Sequence, residues 1–96
     1  MINNEDIFKL VDSFIIREED KVLFDFKKNS IFEFNETAFD IILCLDGKKS
    51  IKDIAEELSK LYIDDYEIIL SGIKELIRKL IDDTLIERVE KINEPI

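Results

Sequence analysis

Hydrophobic and polar residues alternate along the first third of the chain in a way that predicts three short β-strands. Residues 14–17 are rich in strand-forming side chains, residues 21–26 alternate strictly, and residues 31–34 alternate again. Charged and polar turns at residues 18–20 and 27–29 separate these runs. Since consecutive strands joined by tight turns pair in antiparallel fashion, the pattern predicts a three-stranded meander.

Helical periodicity replaces this alternation after the third strand. Asn35 is a good N-cap for a helix over residues 36–45, and Ser50 opens a second helix. The run Asp64-Asp65-Tyr66-Glu67 resembles a capping box and opens the longest helix, which ends near residue 82. The order of elements predicts an α+β fold, a three-stranded antiparallel meander followed by three helices in a winged helix-turn-helix-like arrangement.

The third helix carries more apolar surface than one neighbour would cover. At about 100° per residue its apolar positions fill an arc of roughly 140°. These positions are Tyr66, Ile69, Leu70, Ile73, Leu76, Ile77, Leu80 and Ile81. Leu70, Ile77 and Ile81 form one margin of the arc, beside Lys74 and Arg78. The width of the arc indicates a second contact in addition to the core.

The length of the chain, 96 residues, is typical of one domain. We expect residues 1–96 to form a single unit with its core over about residues 13–87. Residues 1–12 carry scattered apolar positions and are predicted to be a flexible lead-in or a short helical turn. Residues 84–89 are predicted to extend briefly, and residues 91–96, which contain the only proline, are predicted to fray as a flexible tail.

The composition excludes several classes of function. The net charge is −9 and there is no histidine, so a nucleic-acid partner is disfavoured and the commonest general base and metal ligand are missing. No apolar run approaches the roughly 20 residues that span a bilayer, and no secretory signal precedes the first strand. A single cysteine forms no internal disulfide and fits a reducing cytoplasm. We therefore expect a cytoplasmic protein without membrane or nucleic-acid partners.

Candidate catalytic and metal-binding groups do not form a recognisable site. Cys44 lies in the apolar run Ile41-Ile42-Leu43-Cys44-Leu45, which predicts a buried core cysteine and not a reactive thiol. The acidic pairs and triplets lack the spacing of an acid–base pair or of a calcium loop. The sequence therefore predicts no enzyme activity, no cofactor and no metal.

The third strand is the candidate functional element. Ile31, Phe32, Glu33 and Phe34 include one charge and neither lysine nor proline, the residues that usually guard a sheet edge. An unguarded edge can accept an extended peptide as an additional strand. Alternatively, another segment of the chain or a second copy covers it, so the expected state is a monomer or a weak dimer.

Several motifs together resemble a known family, the PqqD-like proteins. They are Val22-Leu23-Phe24-Asp25, Ile31-Phe32-Glu33-Phe34-Asn35-Glu36-Thr37-Ala38, Leu45-Asp46-Gly47 and Ser50-Ile51-Lys52-Asp53-Ile54-Ala55-Glu56-Glu57-Leu58. The resemblance covers about residues 13–87 in the right order. Two departures are the missing glycine in Asp83-Thr84-Leu85-Ile86 and the missing tryptophan in Leu43-Cys44-Leu45, both of which are read as packing variants.

The resemblance implies a non-catalytic RiPP recognition element that binds the leader region of a ribosomally synthesised precursor peptide. The leader would add as a strand to residues 31–34 and lie beside the third helix. Leu70, Ile77 and Ile81 would offer apolar pockets, and Lys74 and Arg78 would be polar guides. The implied second partner is a modifying enzyme, which would be a radical-SAM protein, a cyclase or dehydratase, or a leader peptidase.

The alternative is a small winged-helix transcription regulator. Lys74, Arg78 and Lys79 would then face DNA, but Glu67 and Glu75 on the same helix cancel most of their field. The peptide-binding hypothesis predicts that Glu33→Pro abolishes leader binding without unfolding the domain. It also predicts only a modest loss of affinity at high ionic strength, whereas a basic residue near the bound strand of the leader should be favoured.

Overall fold

The computed structural model describes residues 2–89, which fold into strands and helices in the order predicted for an α+β domain. The strands are β1 (Ile7–Leu10), β2 (Phe14–Arg17), β3 (Val22–Asp25), β4 (Ser30–Glu33), β5 (Asp46–Ser50) and β6 (Ile86–Val89). The helices are α1 (Glu36–Leu43), α2 (Ile51–Tyr62) and α3 (Tyr66–Asp82). All three predicted strands and all three predicted helices are present, together with three further strands.

The predicted meander is the sheet with the order β2-β3-β4. Leu23 pairs with Phe32 on the inner face of this sheet, and Leu23 is completely buried. On the outer face, Phe24 pairs with both Ile15 and Ile31, which are 51% and 64% exposed. Burial alternates along β4, whereas Val22, Leu23 and Asp25 of the central strand β3 are all buried.

A second sheet, with the order β5-β1-β6, corrects the prediction for residues 1–12. Residues 7–10 form its central strand and not a lead-in or a helical turn, and Phe8 is only 2% exposed. The predicted extension of residues 84–89 contributes the strand β6, which pairs with β1 over its whole length. Both partners of β1 are distant in the sequence, so the local pattern did not reveal that it is a strand.

Strand β4 leads into α1 with almost no intervening loop. The N–H of Phe34 donates to the carbonyl of Lys21 at 3.1 Å and so continues the ladder. At the next residue, the Asn35 side chain accepts a hydrogen bond from the N–H of Ala38 at 2.8 Å, which confirms the predicted N-cap. Helix α1 ends at Leu43, earlier than predicted, because the chain then enters β5.

Helices α2 and α3 also begin at side-chain caps. Ser50 and Asp53 form the predicted capping box, and each accepts a hydrogen bond of 3.2 Å from the backbone N–H of the other. Helix α3 is capped by Asp65 and not by the preceding aspartate, since the Asp65 side chain accepts from the N–H of Glu67 at 2.8 Å. These caps fix where each helix starts relative to the sheets.

The core lies between the inner face of the meander, the second sheet and the three helices. It is composed of apolar side chains from every layer: Phe8, Leu23, Ile41, Ile42, Cys44, Leu45, Ile51, Ile54, Ala55, Leu58, Leu70, Ile73, Ile77, Leu80, Leu85 and Ile86. One continuous cluster of this size is what a chain of this length can bury.

Two further predictions concern membrane spans and the C-terminal end of the chain. None of the helices within residues 2–89 is long and apolar enough to cross a membrane. The predicted fraying of residues 91–96 lies outside the described residues.

Candidate functional site

Strand β4 is an open edge of the meander, since β3 is the strand that pairs with it in the described part of the chain. The bond from Phe34 to Lys21 fixes which residues face inward. In an antiparallel ladder, successive residues direct their backbone groups to opposite sides. Phe32 and Phe34 therefore bond to β3, whereas the N–H and C=O groups of Ile31 and Glu33 face outward. These outward groups are the ones that an added strand would use.

The side chains of β4 follow the predicted alternation. Phe32 and Phe34 are partly buried on the inner face, and the rings of Phe32 and Phe14 meet edge to face with centroids 6.3 Å apart. Ile31 and Glu33 are exposed on the outer face. The open edge is therefore held in place by aromatic packing on one side and is accessible from the other.

Strand β2 forms the opposite edge and has the same backbone pattern. The N–H of Phe26 donates to the carbonyl of Ser13 at 3.2 Å, so Phe14 and Ile16 direct their backbone groups outward. This edge ends in the acidic turn of residues 18–20, where a depression is lined by residues 16–19. Edge geometry alone therefore does not distinguish β2 from β4.

An apolar cavity of about 300 Å³ distinguishes the β4 edge. Its lining comes from all three helices and the turn between α2 and α3: Thr37, Ala38, Ile41, Leu58, Tyr62, Asp64, Ile68, Ile69, Gly72 and Leu76. Thr37 lies in the first turn of α1, directly after the end of β4. At the other end of β4, the Lys28 ammonium donates to the Thr84 hydroxyl at 2.8 Å, just after the end of α3. The turn before β4 is therefore bonded to the turn after α3, and the cavity begins at the first turn of α1, which follows β4.

Gly72 is the residue that leaves this cavity open, and sequence reasoning missed it. It lies in the middle of α3, where a glycine costs about 1 kcal/mol of helix stability relative to alanine. A Cβ atom placed there would have no other atom within 4 Å. The signal in the sequence was the glycine itself, since a glycine inside a helical pattern usually has a packing or functional reason.

The rim of the cavity is polar and acidic. The Tyr62 hydroxyl donates a short hydrogen bond to the Asp40 carboxylate, which ties the end of α2 to α1. This bond raises the pKa of Tyr62, because deprotonation would remove the donor beside a negative charge. Asp64 is the charged residue of the lining, and no lysine or arginine belongs to it. The cavity therefore combines apolar walls with a negative rim.

Two of the α3 residues predicted to contact a peptide belong to the core. Leu70 and Ile77 are 6% and 0% exposed, so they offer almost no surface to a ligand in this structure. Ile81 is 40% exposed, Lys74 is half-buried and Arg78 is exposed. Any contact of these five residues with a peptide stays a prediction.

The predicted margin also lies on the other side of α3 from the cavity. Leu70, Lys74 and Arg78 share a shallow depression with Ser71, and none of these residues lines the cavity. At about 100° per residue, Lys74 is about 160° around the helix from Gly72. A second contact of the wide apolar arc stays a prediction, and the open space beside α3 lies along the margin opposite to the one predicted.

Neither a reactive thiol nor a metal site is formed by the described residues. Cys44 is free and buried, as predicted, and burial raises the pKa of its thiol above the ordinary value. Within residues 2–89 there is no group of three or more cysteine, aspartate or glutamate side chains arranged to hold a metal ion. The chemistry that this surface offers is binding through backbone groups and apolar contacts.

Comparison with known proteins gives one family and a consistent fold. The family model described as coenzyme PQQ synthesis protein D (PqqD) matches residues 20–86. No curated protein matches the sequence. The PqqD truncation of Methylobacterium extorquens PqqCD, a stand-alone RiPP recognition element solved by NMR, is 23% identical, with a TM-score of 0.75 over 92% of this chain and 96% of that one.

Two further solved structures are complexes. A lasso peptide synthetase B1 complexed with the leader peptide is 23% identical, with a TM-score of 0.73 over 83% of this chain and 96% of that one. TbiB1 in complex with the TbiA(beta) leader peptide is 20% identical, with a TM-score of 0.73 over 82% of this chain and 94% of that one. At these identities the likeness establishes a shared fold.

Proposed function

The chain belongs to the PqqD family, and from this membership we propose that it binds the leader region of a ribosomally synthesised precursor peptide and delivers that peptide to a modifying enzyme. The peptide adds as a fourth strand to the outer edge of β4. The domain itself is a non-catalytic adaptor. Its second partner is the enzyme that acts on the core of the peptide, which is a radical-SAM protein, a cyclase or dehydratase, or a leader peptidase.

The observation that carries this proposal is the open edge of β4. Ile31 and Glu33 present two N–H and two C=O groups in the alternating geometry that an additional strand requires. Each backbone bond contributes about 0.5–1.5 kcal/mol net, so the edge alone gives weak affinity that depends little on peptide sequence. Specificity must come from side-chain contacts on the two sides of the added strand.

The structures of similar fold support the same proposed function. Two structures of this fold, the lasso peptide synthetase B1 and TbiB1, were solved with a leader peptide, and the PqqD domain of the third is described as a RiPP recognition element. The edge of β4 and the cavity beside it supply a backbone template and an apolar contact, which are the two things that peptide addition needs.

Proline substitution tests the proposal without requiring that the natural peptide be known. A display library of random peptides is selected against the protein, and the best-enriched peptide is synthesised as the probe. Glu33→Pro removes an outward N–H that makes no bond to β3, so the ladder remains intact. We expect Glu33→Pro to weaken binding of the selected peptide by at least about tenfold, measured by fluorescence titration, with an unchanged circular dichroism spectrum.

Two variants serve as matched controls. Glu33→Ala removes the side chain but keeps the N–H, and it should bind nearly as well as the native protein. Ile16→Pro places the same substitution at the equivalent outward position of the β2 edge, and it should also bind normally. Loss of binding in Ile16→Pro but not in Glu33→Pro would show that the peptide pairs with β2, and it would refute pairing with β4.

A further inference from the structure

Building on the proposed function, we infer that the cavity beside β4 selects the peptide. It accepts one bulky apolar side chain of the peptide, with a lysine or arginine close to that side chain. Gly72 sets the size of the cavity and Asp64 attracts the basic residue.

The volume and the lining of the cavity determine which side chain of the peptide it can accept, and we call this side chain the anchor. A volume of about 300 Å³ is at the lower end of the range of roughly 300–1,000 Å³ typical of small-molecule pockets, so it suits one side chain and not a whole ligand. Ala38, Ile41, Ile69 and Leu76 provide apolar walls, and Gly72 provides none. A Cβ atom at Gly72 would meet no other atom within 4 Å, so the space beside Gly72 is open to an aliphatic or aromatic side chain, which would bury apolar surface there.

Position argues for a peptide as the occupant. The cavity begins at the first turn of α1, which follows β4 with almost no intervening loop. A chain paired with Ile31 and Glu33 would pass the mouth of the cavity as it leaves the end of β4. Successive residues of that chain point to opposite sides, so one near this end can direct its side chain toward α3.

Charge argues for the basic neighbour. Asp64 is the charged group of the lining, and Asp40 lies just outside it, held by Tyr62. One oxygen of the Asp64 carboxylate accepts from the N–H of Asp65 at 2.7 Å, which leaves the other available to a ligand. With no basic residue in the lining and a net charge of −9, a cation on the peptide is attracted and an acidic residue is repelled.

The library selection tests the sequence preference directly. Enriched peptides should share a bulky apolar residue with lysine or arginine within a few positions of it. Peptides without such a residue, or with aspartate or glutamate beside it, would contradict the inference even if they bind at β4.

A cavity-filling variant tests the anchor. Gly72→Leu fills the cavity from a helix position where leucine is favoured over glycine, so the fold should be kept. We expect the selected peptide to lose at least about tenfold in affinity for Gly72→Leu. Ser71→Leu places the same side chain on the margin of α3 that carries Lys74 and Arg78, and it should bind like the native protein.

A double-mutant cycle identifies the peptide residue that occupies the cavity. Replacing the apolar anchor of the selected peptide by alanine should weaken binding to the native protein but change little for Gly72→Leu, since the cavity is already filled. Additive losses would mean that the anchor lies elsewhere and would overturn the inference.

A charge-neutral variant tests the rim. Asp64→Asn keeps an oxygen acceptor for the backbone while removing the charge, and it should weaken a lysine-containing or arginine-containing peptide by a few-fold without affecting its neutral analogue. Glu56→Gln removes a charge from α2 outside the cavity and serves as the control. Equal effects of the two variants would mean that the preference for a basic residue comes from the net negative charge of the whole protein, and would overturn the role of Asp64.

The outcomes separate this inference from the proposed function. If Glu33→Pro abolishes binding while Gly72→Leu binds within about twofold of the native protein, strand addition stands and the cavity has no role. If Gly72→Leu abolishes binding while Glu33→Pro binds normally, the cavity binds a ligand but the β4 edge is not its template.

Discussion

At the scale of single residues, the turn between α2 and α3 has an unusual occupant. Ile63 caps the C-terminus of α2 with φ 51° and ψ 52°, the left-handed conformation that favours glycine or asparagine. A β-branched residue there costs about 1–2 kcal/mol, and with 93% of its surface exposed Ile63 gains almost no packing in return. Asn29 also has a positive φ, 55°, but it lies in a turn where asparagine is common.

We therefore predict that Ile63→Gly stabilises the fold. Glycine relieves the strain but also increases the entropy of the unfolded chain, so the net gain should be about 0.5–1.5 kcal/mol in the free energy of unfolding. Urea denaturation followed by circular dichroism measures it. Ile68→Gly makes the same change at an exposed position inside α3 and should lower the stability by about 0.5–1 kcal/mol. A loss of stability in Ile63→Gly would contradict the claim that the backbone is strained at Ile63.

Residues that act locally were predictable from the sequence. The caps at Asn35 and Ser50 were correctly assigned because a cap depends on a few neighbouring residues. The burial of Cys44 followed from its apolar neighbours. The role of Gly72 was not recognised, because the open space beside it is created by residues of α1 and α2 that are distant in the sequence.

At the scale of elements, the second sheet is the feature that local patterns did not reveal. Strand β1 has four residues, and its partners β5 and β6 come from opposite sides of α2 and α3 in the sequence. Strands β2, β3 and β4 are equally short, but they follow one another through tight turns, whereas β1 has no strand partner next to it in the sequence. The sequence Asp46-Gly47-Lys48-Lys49-Ser50 also looks like a turn, although it forms β5. Such pairings depend on the completed fold.

The position of β1 in the core predicts a large effect of Phe8→Ala. Phe8 is 2% exposed and belongs to the same cluster as Leu85 and Ile86, so its truncation should cost about 3–5 kcal/mol. Since small domains are stable by only about 5–15 kcal/mol, this variant should unfold at much lower urea concentration. Chemical denaturation with both the midpoint and the slope fitted measures the change.

An exposed neighbour provides the control for this variant. Lys9 forms a surface ion pair with Glu87 at 3.3 Å, and Lys9→Ala should cost less than about 1 kcal/mol. If Phe8→Ala cost no more than Lys9→Ala, β1 would be a peripheral segment, as the sequence suggested, and not part of the core.

At the scale of the whole molecule, charge and shape favour a peptide over a nucleic acid. A net charge of −9 repels phosphate, and Lys74 and Arg78 share their side of α3 with Glu67. The wide apolar arc of α3 is explained by the core on one part and the cavity on another. In the proposed function, the arrangement of the helices places this cavity next to the end of β4.

The two parts of the candidate site differ in how far they could be predicted. The edge of β4 was identified from residues 31–34 alone, since alternation and the absence of lysine and proline are local properties. The cavity depends on the relative placement of three helices, so the sequence could not reveal it. The predicted pockets were placed at Leu70, Ile77 and Ile81, and none of these residues lines the cavity.

The central claim is that a peptide pairs with the outer edge of β4, and amide hydrogen exchange measured by NMR tests it most directly. In the free protein the N–H groups of Ile31 and Glu33 face outward and should exchange rapidly, whereas those of Phe32 and Phe34 are bonded within the sheet. Saturation with the selected peptide should slow exchange at Ile31 and Glu33 and leave Ile16, on the β2 edge, unchanged. Protection at Ile16 with no change at Ile31 and Glu33 would contradict the account.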